Sequence, residues 1–102
     1  MELKSHVIVI SGIIKSNYSK QKCDTLIDMM KEFNNEKFDD RIYLDLYKES
    51  YQDKECIGIG IRIVKPTQSK LESTLRVLRK NIKIIFDTKL ITLVKTDNVK
   101  IY

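Results

Sequence analysis

The rhythm of apolar and polar positions changes repeatedly along this chain. An extended run that is apolar on both sides (4–14) is followed by helical spacing (20–33). Two runs of period two come next (41–48 and 56–65), then a second helical stretch from Leu71 to Ile85 and a last apolar run (90–95). This order, β-α-β-β-α-β, predicts an α+β fold of the ferredoxin-like kind, an antiparallel sheet with two helices on one face. Residues 1–102 are expected to form a single domain.

Local signals support each element. In the first strand, Val7, Val9, Ser11 and Ile13 alternate with His6, Ile8, Ile10, Gly12 and Ile14. Both sides are apolar, the mark of a central strand covered on both faces. Ser19 offers an N-cap, with Tyr18 placed to staple onto Cys23. Cys23, Leu26, Ile27, Met30 and Phe33 form the apolar stripe of the first helix, and Asn34-Asn35 are expected to end it.

Further along, Ile42, Leu44 and Leu46 alternate with Arg41, Tyr43, Asp45 and Tyr47. The polar stretch 48–55 reads as a loop. A hairpin centred near Tyr51 and Gln52 sets Leu46 opposite Ile57, Leu44 opposite Ile59 and Ile42 opposite Ile61, because a one-residue slip would bury Tyr43 and Asp45 instead. Pro66 ends the third strand, and Thr67 or Ser69 caps the second helix. Its stripe is Leu71, Leu75, Leu78, Ile82 and Ile85, although Ile82 to Phe86 also suits a strand. Asp97-Asn98 can turn the chain into a short terminal strand.

Charge is divided unevenly. Residues 1–61 hold nine Lys/Arg and eleven Asp/Glu, net −2; residues 62–102 hold ten and three, net +7; together they give the chain's +5. Isoleucine and lysine occur fifteen times each, arginine four times, and alanine and tryptophan are absent, a composition expected of an AT-rich coding sequence. There is no apolar run long enough to span a membrane and no signal-peptide pattern, so cytoplasmic residence is the expectation. Cys23 and Cys56 are expected to be reduced, partly buried thiols.

Catalytic motifs are missing. His6 is the only histidine, Asp39-Asp40 stand in a connection without a partner, and Gly58-Ile59-Gly60 lies inside a strand without the helix a dinucleotide site needs. Neither an enzyme, a metal nor a cofactor is expected. The central strands carry aliphatic residues and glycine where RNA-recognition domains carry aromatics.

Two surfaces are left to carry function. With Ile57, Ile59, Ile61 and Ile63 under the helices, the open sheet face holds Tyr43, Asp45, Tyr47, Gly58, Gly60 and Arg62, with an apolar row of the first strand beside them. That row is either Val7-Val9-Ile13 or Ile8-Ile10-Ile14. An exposed apolar stripe with tyrosines is the composition of a protein interface. The second surface is the outer side of the second helix, with Arg76, Arg79, Lys80 and Lys83, extended by Lys65, Lys70, Lys89, Lys95 and Lys100, which suits nucleic acid or another polyanion. The expected function is that of a small non-catalytic binding protein, a phage- or plasmid-type inhibitor or accessory factor. It docks on a protein or nucleoprotein complex, or on a second copy as a homodimer. The alternative is a ligand-sensing regulatory oligomer.

Overall fold

A computed structural model describes residues 6–37, 42–64 and 67–100, with side chains placed for 8–34, 42–64 and 67–91. Lys4, Asp39, Asp40, Arg41, Lys65, Pro66, Ile101 and Tyr102 lie outside the described residues, as do the side chains of His6, Val7, Lys95 and Lys100. The elements run β1 (His6–Ile14), α1 (Lys20–Lys37), β2 (Ile42–Tyr51), β3 (Lys54–Val64), α2 (Gln68–Phe86) and β4 (Leu90–Lys100). The strands form one four-stranded sheet in the order β2-β3-β1-β4, antiparallel at every pairing. The fold is therefore α+β, with β1 and β3 central.

One core lies between the helices and the sheet. Its floor is the odd-numbered row of β3 (Ile57, Ile59, Ile61, Ile63) with Ile10 and Ile14 of β1. Cys23, Leu26 and Met30 of α1 and Leu71, Leu78, Ile82 and Phe86 of α2 close on it. Both helices thus cover the same face. Full burial of each such aliphatic side chain stabilises by about 1.5–3 kcal/mol, which is why the period-two and helical stripes decide the topology.

Several element ends differ from the sequence expectation. Helix α1 continues through Asn34-Asn35 to Lys37. Asn34 is itself buried and Phe33 packs against the core, so tertiary burial overrides asparagine's weak helix propensity. The polar stretch 48–55 is mostly strand. β2 and β3 run to a two-residue turn at Gln52-Asp53, both left-handed with φ of 53° and 63°. The pairing is Leu46 with Ile59, Leu44 with Ile61 and Ile42 with Ile63, two residues away from the expected register. A shift of two keeps every side chain on its expected face. Left-handed φ at both turn positions suits Asn-Gly far better than Gln-Asp. The double substitution Gln52→Asn/Asp53→Gly is expected to stabilise the fold by about 1 kcal/mol, read as a higher urea midpoint at unchanged slope.

At the second helix, Thr67 is the N-cap, its hydroxyl accepting from the Lys70 N–H at 3.0 Å. The helix runs unbroken to Phe86, because Ile82 and Phe86 both reach the core. Asp87, at φ 54°, then closes it with its N–H donating to the Lys83 carbonyl. Strand β4 also continues past the expected Asp97-Asn98 turn. It pairs with β1 at Val7–Val99 and His6–Lys100, after register irregularities near Ser11/Gly12 and Val7/Val9. The stretch up to Lys100 therefore lengthens the sheet edge; it is no separate terminal strand and does not fold across the open face.

Candidate functional site

The face of the sheet away from the helices is built by β2, β3 and β1 in register. Tyr43 stands opposite Arg62, Asp45 opposite Gly60, and Tyr47 opposite Gly58. On the far side of β3, Val9 neighbours Arg62, Ser11 neighbours Gly60 and Ile13 neighbours Gly58. All six open-face residues expected from the sequence are thus brought together on one side of adjacent strands.

Their surroundings are not equivalent. The Arg62 guanidinium lies 4.9 Å from the centroid of the Tyr43 ring, a cation–π pair across the strands. Tyr47 lies across Gly58: a Cβ at that position would overlap its ring, so Gly58 is buried and its backbone is not bare. Gly60 is the opposite case, since a Cβ there would meet nothing within 4 Å. The result is a shallow groove of about 540 Å³ above Gly60, walled by Val9, Tyr43, Asp45 and Arg62. Tyr43 and Tyr47 keep 49% and 39% of their surface exposed, among the largest apolar exposures in the described residues.

The apolar row of β1 on this face is Val9 and Ile13, not Ile8-Ile10-Ile14, which turns toward the helices. Ile13 is only 2% exposed, and Val9 is half-buried. The expected aliphatic stripe is consequently much reduced, and the tyrosines carry most of the exposed apolar area. The charges here nearly balance: Lys15, Lys54 and Arg62 are exposed on this side, as are Asp45 and Glu49. Among the described residues the ion pairs are Lys20–Asp24 and Lys83–Asp87, both elsewhere, so Asp45 and Arg62 have no ionic partner within the described chain.

The second candidate surface is the outer side of α2. Arg76, Arg79, Lys80 and Lys83 are all exposed there. Lys83 pairs with Asp87 at 3.1 Å, an exposed contact of little energetic weight. Lys70 does not extend the patch: it is buried, and its ammonium donates to the Val64 carbonyl at 3.1 Å. Ile84, 64% exposed beside these cations, is a feature that sequence reading passed over. Its signal was present, since Ile84 falls outside the stripe made by Ile82 and Ile85. Because α2 buries its other side on the sheet, this surface and the open sheet face look in opposite directions.

Matching by protein-family models, by curated proteins and by solved structures yields no similar family, protein or fold for this chain.

Neither surface carries a recognisable reactive constellation. No group of three or more potential metal ligands occurs among the described residues, and no helix is long and apolar enough to cross a membrane. Both cysteines are free and buried. Burial pushes the Cys23 thiol pKa upward, since desolvation disfavours the thiolate. With the folded-state pKa above the unfolded one, its contribution is complete below the ordinary thiol range and is lost as pH rises through the folded value. Wild type is thus expected to lose stability more steeply than Cys23→Ala above about pH 9, measured by urea unfolding across a pH series.

Proposed function

We propose that this chain is a small non-catalytic binding protein of the ferredoxin-like class that docks on a macromolecular partner through its open sheet face. The fold reading is supported by the strand order β2-β3-β1-β4 and by the single core shared by both helices. The functional reading rests on one observation: a sheet face with no helix over it, where half-exposed Tyr43, Asp45 and Arg62 wall the groove over Gly60 and half-exposed Tyr47 lies across the neighbouring Gly58. Tyrosine and arginine are the residues that interfaces favour, because they bury area while keeping polar groups in reach of a partner. The cationic side of α2 is a separate contact, suited to nucleic acid or another polyanion. Its position opposite the sheet face means that one flat partner cannot engage both. A cytoplasmic inhibitor or accessory factor of the mobile-element type is consistent with the size and composition.

The test compares tagged wild type with Tyr43→Ala/Tyr47→Ala and with Arg76→Glu/Lys80→Glu, all as full chains in cells of its source. The first variant is expected to lose associated macromolecules, self-association included, that the second retains. The second is expected to lose only salt-sensitive binding to single- or double-stranded nucleic acid, with affinity falling log-linearly in salt. If the tyrosine variant keeps every association of the wild type at unchanged thermal stability, the sheet face is not a docking surface.

A further inference from the structure

Resting on that reading of the open face, we infer that its occupant is a second copy of this chain, joined about a two-fold axis that sets Asp45 of each copy against Arg62 of the other.

The chain carries net +5, so self-association needs a surface where positive charge is not gathered. The outer side of α2 is unsuited, whereas on the described open face Lys15, Lys54 and Arg62 stand against Asp45 and Glu49, a surplus of a single positive charge. A face so close to neutral has little to offer a strongly acidic or a strongly basic partner. It is, however, complementary to itself. In an isologous contact each residue meets its counterpart's neighbour twice, so one acid and one base on the same patch form two ion pairs. Asp45 and Arg62 meet that requirement: both are exposed, both wall the groove over Gly60, and neither has an ionic partner among the described residues.

Shape points the same way. The groove over Gly60 is a socket, and the half-exposed ring of Tyr43 on its wall is the projection a matching socket can take. Socket and projection occur on the same patch, which a two-fold contact can use reciprocally. The footprint bounds the strength. Four strands about 4.8 Å apart, with roughly eight consecutive residues each at about 3.4 Å, span on the order of 500 Å², below the roughly 800 Å² per partner of standard stable interfaces. The dimer is accordingly one that dissociates on dilution.

Sedimentation equilibrium over a wide concentration range tests this with Asp45→Arg, Arg62→Asp and their equimolar mixture. Wild type is expected to show reversible dimerisation. Each single variant doubles one sign on the patch and is expected to weaken self-association tenfold or more. The mixture is expected to restore association, because one variant presents two bases and the other two acids. Both sites are exposed, and thermal melts verify that the variants fold. A wild type that stays monomeric throughout overturns the inference, as does a dimer that neither variant disturbs, or single variants that fail to associate when mixed. Should wild type be monomeric while Tyr43→Ala/Tyr47→Ala still strips a partner in cells, the open face docks a different protein. If that variant changes nothing either, both readings fall together.

Discussion

Ile59→Ala is expected to remove about 2–5 kcal/mol of stability, among the largest losses from any single truncation in this chain. Ile59 is completely buried, stands opposite Leu46 on β2 and Gly12 on β1, and lies mid-way along the row of β3 that carries both helices. Truncation there leaves a cavity bounded by the sheet beneath and the helices above. Neither layer can collapse into it without shifting the other, so the cost belongs toward the upper end of that range. A domain of this length commonly has about 5–15 kcal/mol in total, so the variant would sit near the threshold of folding. Urea unfolding should show a much lower midpoint with little change of slope. A loss under about 1 kcal/mol would mean that the core is not organised around this row.

Gly12→Ala is expected to give the next-largest loss, for a different reason. A Cβ at Gly12 would lie 2.6 Å from the Ile91 carbonyl oxygen and 2.9 Å from Leu90 Cδ1. The nearer contact is backbone and has no rotamer to escape into. β4 changes register against β1 at this point, and the missing side chain is what lets the two backbones approach so closely. Forcing a methyl group in must displace β4, at about 1–3 kcal/mol or more. Trimming the side-chain neighbour, as in Gly12→Ala/Leu90→Ala, should give no rescue, because the obstruction is the Ile91 carbonyl. Gly60→Ala is the control. With nothing within 4 Å it should be neutral, or stabilising by up to about 1 kcal/mol through the unfolded chain. Thermal melts of the three single-chain variants would rank them directly.

These two positions also show what the bare chain discloses. Ile57, Ile59, Ile61 and Ile63 announce a core row by period alone, and the face on which Tyr43, Asp45, Tyr47 and Arg62 emerge follows from it. Parity is robust: the hairpin register lay two residues from the expected one, yet every side chain kept its face. The ends of elements were less legible. Asn34 is a poor helix former, but burial holds it inside α1, and polar residues 48–51 belong to a strand because hairpin backbone bonding continues beyond the core. The differing fates of the glycines were not readable at all. Gly58 and Gly60 look alike in sequence, but only Gly58 has a tyrosine directly across from it. Lys70 reads as a surface cation in the sequence, though its position on α2 turns its ammonium inward to the Val64 carbonyl.

The opposed directions of the open sheet and the outer side of α2 bear on valency. If two copies meet through their open sheets, the layer order becomes helix–sheet–sheet–helix, with both α2 surfaces outermost. Such an assembly is a two-ended tie. Each end offers the same cationic helix, and the ends point apart, so the two cannot grip one short stretch of polyanion together. They would instead bridge two segments, where a shared linkage raises the effective concentration of the second contact. A single copy would bind one segment weakly, and pairing would turn that weak contact into a cross-link that dissolves on dilution.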